Sequence, residues 1–78
     1  MFYTYVLKSQ IDKKLYVGYS NNLRKRIFEY EKGLVQATKI RRPLFLVYYE
    51  ACLNKDKAIK REKYFKTGFG RRYLKDRI

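Results

Sequence analysis

Residues 2–19 read FYTYVLKSQIDKKLYVGY, and this stretch decides the fold. Phe2 to Leu7 is rich in aromatic and β-branched residues, the composition of a strand. Strand periodicity puts Tyr3, Tyr5 and Leu7 on one face and Phe2, Thr4 and Val6 on the other. Ser9 to Lys13 is polar apart from Ile11 and marks a turn. Leu15 to Tyr19 is a second strand, so the two form an antiparallel hairpin. Gly18, near the end of that strand, leaves room for close approach of backbone or ligand.

Downstream, Ser20, Asn21 and Asn22 are N-cap candidates for a helix. Leu23, Ile27, Tyr30 and Leu34 form its apolar stripe, and Gly33 is placed to stop it. Arg24, Lys25 and Arg26 fall in its first turns, where cations oppose the helix dipole by a few tenths of a kcal/mol each, roughly. Charge so placed points to an anion arriving from outside. Val35 to Pro43 is a loop carrying Thr38, Lys39, Arg41 and Arg42. Leu44 to Tyr49 is nearly continuous apolar sequence, which predicts a strand buried on both faces. Asn54 caps a second helix whose apolar face holds Ala58, Ile59 and Phe65. Thr67-Gly68-Phe69-Gly70 breaks that helix, and Arg71 to Ile78 forms a short terminal one. The order β-β-α-β-α-α predicts an α+β domain spanning 1–78, a three-stranded antiparallel sheet flanked by helices.

Composition narrows the partner. The chain has 78 residues, 20 Lys+Arg and 7 Asp+Glu, a net charge of +13. So large a surplus repels itself and gains most from counterion release on a phosphate backbone. Hydrophobic residues make up 46%, too many for a disordered basic tail. There is no histidine, which excludes His-ligated metals and Ser-His-Asp catalysis. Cys52, the sole cysteine, can form neither an internal disulfide nor a thiolate metal pair, and fits as a small apolar residue. No apolar stretch approaches the ~20 residues that span a bilayer. The expected setting is the cytoplasm, or a compartment shared with DNA, with no membrane partner.

Glu62 stands out because it sits between Ala58 and Phe65 on an apolar stripe. A carboxylate there costs several kcal/mol, roughly, unless it is paired or metal-bound. Either it pairs with Arg26 or a neighbouring lysine, or it binds a hard divalent cation such as Mg²⁺ with water and substrate phosphate completing the shell. Arg26 lies four residues before Tyr30 on one helix face. It is either a solvated cation or a two-pronged phosphate ligand. Tyr5 and Tyr16 lie on adjacent strands, where plain cross-strand aromatic packing is the ordinary explanation.

Together these residues carry a resemblance. Tyr3-Thr4-Tyr5, Tyr16-Val17-Gly18, Arg26 and Glu62 are similar to the motifs of the GIY-YIG nuclease superfamily. The whole chain resembles its short single-domain bacterial members, through Tyr-Val-Leu-Lys-Ser, Leu-Tyr-Val-Gly-Tyr, Ala-Thr-Lys-Ile-Arg-Arg-Pro, Leu-Val-Tyr-Tyr-Glu-Ala and Lys-Arg-Glu-Lys in order. The resemblance implies an endonuclease that hydrolyses DNA phosphodiester bonds with one divalent metal, Mg²⁺ or Mn²⁺. It implies Tyr5 as general base, Tyr16 as the group that positions water or substrate, and Gly18 as a close-packing residue. Arg26 would be the phosphate arginine, Tyr30 a catalytic residue at a position where other members have histidine or tyrosine, and Glu62 the metal ligand. Lys39, Arg41, Arg42, Lys63 and Lys66 are expected phosphate contacts. The first motif reads Tyr-Thr-Tyr rather than Gly-Ile-Tyr, and no asparagine follows Glu62. With no separate target-recognition domain, little sequence specificity is expected. The alternative is a nucleic-acid-binding module with weak or no turnover on branched DNA or RNA. A monomer is expected, with a dimer as the alternative.

Overall fold

The computed structural model describes all residues, 1–78. Its elements are β1 (Phe2–Ser9), β2 (Leu15–Ser20), α1 (Leu23–Glu31), a 3₁₀ segment (Gln36–Arg41), β3 (Leu44–Cys52), α2 (Lys55–Phe65) and α3 (Gly68–Lys75). The sheet is antiparallel with strand order β2-β1-β3, so the chain's first strand is its centre. β-β-α-β-α-α is the order the sequence predicts.

The central position explains why β1 carries large residues on both faces. Tyr5 and Leu7 pack with Tyr30 of α1 on one face, joined by Tyr16, Leu23 and Ile27. Val6 packs with Phe65 of α2 and Leu74 of α3 on the other, joined by Val17, Tyr48 and Tyr73. Thr4, also buried, donates its hydroxyl to the Ala58 carbonyl at 2.7 Å and pins α2 to the sheet.

Caps fix the helix starts. Asn22, Asn54 and Thr67 accept from the backbone N–H of Lys25, Lys57 and Gly70. Each such cap stabilises its helix by about 1 kcal/mol. Gly33, at φ 74°, closes α1: its N–H bonds to Tyr30 and that of Leu34 reaches back to Glu29. This is the paired bonding that ends helices at a left-handed residue.

Four expectations change. Leu34 lies beyond α1 and is exposed, so the predicted stripe is one residue too long. The predicted loop over Val35 to Pro43 contains the 3₁₀ segment. β3 is an edge strand with Phe45 and Tyr49 exposed, not a strand buried on both faces. The break after α2 is confined to Lys66 and Thr67, so the last helix runs Gly68–Lys75 and not Arg71 to Ile78. A side chain on Gly70 would collide with the Tyr64 carbonyl and Phe65 Cα, so this glycine lets two helices touch.

Candidate functional site

The β1–β2 register sets the site. Tyr5 stands opposite Gly18 and Leu7 opposite Tyr16, so all four share the face covered by α1. The Tyr5 ring lies over Gly18, where an added Cβ would overlap its hydroxyl. That is the close approach the glycine was expected to serve.

α1 brings Arg26 and Tyr30 to the same point. Arg26 donates Nε–H to the Tyr5 oxygen at 3.2 Å, and the Tyr5 and Tyr30 hydroxyls are 3.0 Å apart. Arg26 Nη1 donates to Glu29 Oε1 at 3.1 Å. A guanidinium has five N–H groups, so three remain for a ligand. The bond to Tyr5, and then Glu29, hold Arg26 firmly in its charged form against burial. Burial first, and then the bond to Tyr5, push Tyr30 well above its ordinary value of 10.0.

Tyr16 is arranged differently. Its hydroxyl donates to Asp12 Oδ2 at 2.9 Å, and Arg41 Nε lies 3.3 Å from the same oxygen. Desolvation and the Asp12 bond raise the Tyr16 phenol. The Lys14 backbone N–H, helped by the Tyr16 hydroxyl, keeps the Asp12 carboxyl low against a smaller desolvation cost. Tyr16 therefore keeps its proton, aims it at Asp12, and leaves its oxygen lone pairs for another donor.

A cavity of about 370 Å³ opens beside it, lined by Tyr16, Tyr30, Thr38, Lys66 and Arg71 among others. Lys66 Nζ lies 2.7 Å from Glu62 Oε2, one helical turn away on α2. This pair connects Glu62 to the cavity. Glu62 is thus paired with a neighbouring lysine and not with Arg26, whose carboxylate partner is Glu29.

The structure gathers Tyr5, Arg26 and Tyr30 into one cluster and sets Tyr16 and Lys66 on the adjoining cavity. The Tyr5 residue is 1% exposed, and its oxygen is already shared by two partners. This suits holding Arg26 better than receiving a proton from water. Arg42 donates to the Lys39 and Glu31 carbonyls, bracing the segment after α1. Arg41 is tied to Asp12, while Lys39 and Lys63 are exposed. Asp12 and Arg71 lie outside the motifs that mark the site in the sequence. Asp12 reads as a turn residue, and its position four before Tyr16 is the one available signal.

The donor set admits a limited kind of metal. No group of three His, Cys, Asp or Glu residues is gathered anywhere. Glu62, with its side chain 16% exposed, offers a single hard-oxygen ligand, presently held by Lys66. One carboxylate with water and substrate oxygens fits a Mg²⁺-type ion, and the flexible lysine stem is able to withdraw.

Fold and site together define a GIY-YIG catalytic domain: that family's description matches residues 1–74. The chain belongs to this family, a nuclease superfamily whose members generally use divalent metals. Within it, the chain is similar to short bacterial proteins called UPF0213. It is 42% identical to one from Staphylococcus saprophyticus over 94% of this chain and 89% of that protein. It is 45% identical to one from Clostridium perfringens over 85% of this chain and 71% of the relative. No solved structure matches it. No helix is long and apolar enough to cross a membrane.

Proposed function

We propose that this domain is an endonuclease that hydrolyses DNA backbone phosphodiesters with little sequence preference. The observation that carries the proposal is Arg26, fixed by Tyr5 and Glu29 with three N–H groups unused. Those groups suit two oxygens of a phosphate, where charge grows as the fifth bond forms. Tyr5 and Tyr30 act as positioning residues that set the angle of the guanidinium. Tyr16 accepts a hydrogen bond from the attacking water while its own proton stays on the Asp12 side. Lys66 and Arg71, on the cavity wall, take the flanking phosphates. Glu62 would hold a divalent ion, Mg²⁺ or Mn²⁺, which when bound supplies charge neutralisation and a more acidic water.

The Lys66–Glu62 pair favours a second reading, a binding module without turnover, because the lysine occupies the carboxylate. One experiment separates the two. Plasmid, branched and single-stranded DNA are incubated with the protein in Mg²⁺ or Mn²⁺, beside Glu62→Ala. Nicking that the variant abolishes supports the nuclease. Salt-sensitive binding without any nicking supports the binding module, and equal cutting by both proteins overturns the proposed site.

A further inference from the structure

A second concavity lies on the other flank of α1. It holds about 650 Å³ between α1 and β3, and its walls include Tyr3, Asn22, Arg24, Phe28, Leu46 and Tyr49. Tyr49 pairs with Tyr5 and Leu46 with Leu7, so the groove sits on the same sheet face as the Tyr5 cluster. α1 covers Tyr5, Leu7 and Leu44 on that face and leaves Tyr3, Leu46 and Tyr49 to line the groove beside it. Phe28 is 51% exposed and Tyr49 is 53% exposed, and the Tyr3 and Tyr49 rings lie 6.3 Å apart at 54°.

Local charge argues against phosphate as the occupant. Arg24 is matched by Glu31 on the same wall, so the groove is close to neutral within a chain of net charge +13. Global charge argues against a second copy, since two such chains repel. An occupant drawn by the whole surface yet accepted by an uncharged aromatic groove is the base of a polynucleotide. Flat bases stack on tyrosine and phenylalanine rings, and the Asn22 side-chain NH₂, its oxygen being held in the α1 cap, can donate to a base edge. Tyr3 and Tyr5 are alternate residues of one strand, about 7 Å apart, so the groove begins close to the proposed cutting site.

We infer that the groove between α1 and β3 binds an unpaired nucleobase beside the phosphate held at Arg26. This deepens the nucleic-acid reading above and rests on it. It makes the preferred substrate a strand with a bulged, flapped or single-stranded nucleotide, not a perfect duplex.

Fluorescence anisotropy tests it with two short labelled DNA probes, a fully paired duplex and the same duplex bearing a one-base bulge. The bulged probe is expected to bind roughly tenfold tighter, the scale of one stacked base. Phe28→Ala and Tyr49→Ala should remove that preference while leaving affinity for the paired probe unchanged, and Tyr49→Phe should retain it. Both side chains are half exposed, so the fold tolerates their loss. Equal binding of the two probes, or a preference that survives both alanine variants, overturns the inference and leaves the nucleic-acid reading intact. No binding of either probe overturns both. A dimer in sedimentation that Tyr49→Ala dissolves assigns the groove to a second copy instead.

Discussion

The two faces of the sheet each hold an arginine among tyrosines, yet the two arginines are built for opposite ends. On the α2 face, Arg61 Nε donates to both Glu50 oxygens at 3.0 and 3.2 Å, and Nη2 donates to one of them at 3.1 Å. Its guanidinium carbon lies 4.7 Å from the Phe65 ring centre and 4.6 Å from that of Tyr73. Arg26, on the α1 face, has one bond to a phenol, one to a carboxylate, and a single ring near it. Their side chains are almost equally exposed, 32% against 38%. Accessibility therefore does not separate a structural arginine from a functional one. The partners of the committed donors do: each arginine uses two of its five N–H groups, but Arg61 gives both to one carboxylate and packs against three rings, whereas Arg26 divides them between a phenol and a carboxylate beside one ring.

The strongest way to test that contrast is to damage the α2 face. Phe65→Ala removes a fully buried ring shared by α2, α3 and the sheet, and should cost about 3–5 kcal/mol. Thermal unfolding followed by circular dichroism measures it. A loss below about 1 kcal/mol would mean that this face is not the main support of the fold. Next in size, Arg26→Ala should lower nicking by about 10²–10³-fold with little change in unfolding. Arg61→Ala should do the reverse, lowering the melting temperature and sparing the rate per folded molecule. Matching kinetic losses in the two variants would erase the distinction between the faces.

How much of this was legible in the sequence varies by residue. The strand character of Phe2 to Leu7 was legible in its aromatic and β-branched composition, but its central place was not, because the continuous apolar run of Leu44 to Tyr49 is the stronger signal of a strand buried on both faces. The Arg26–Tyr30 pairing was legible, because helix periodicity places both on one face, whereas only the family resemblance joined Tyr5 to them. Glu62 was visible as an acid on an apolar stripe, and its Lys66 partner stood one turn away. β3 misled because its apolar run has the composition of a buried strand, whereas its open side forms the groove beside α1. Asp12 and Tyr16 are four residues apart, but Arg41 reaches Asp12 from the 3₁₀ segment, and no local pattern reports a contact of that range.

A smaller test sharpens the α1 face. Gly18→Ala forces a methyl into the Tyr5 hydroxyl, so it should cost about 1–3 kcal/mol and displace Arg26 with Tyr5. Stability and nicking should fall together, and a loss of stability alone would mean that Tyr5 does not set Arg26. The smallest effect concerns pH. The fold favours neutral Tyr30, whose pKa is raised above 10.0, so its contribution is complete below pH 10 and declines as pH rises past it. Tyr30→Phe loses a hydrogen bond of about 1 kcal/mol at neutral pH but cannot ionise. Urea unfolding at pH 8 and pH 11 should show the gap between variant and parent narrowing. A gap that stays constant would show that Tyr30 is not held neutral.

The place of β1 at the centre of the sheet has a consequence for biogenesis. This strand is made first, yet its partner on one side runs to Cys52. At about 5–20 residues per second, roughly 2–9 s pass on the ribosome before both neighbours exist. During that interval the strand that is most buried in the finished fold has only a hairpin for shelter, within a highly cationic nascent chain. Pausing during translation of residues 20–50 should therefore lower soluble yield more than pausing near the C-terminus.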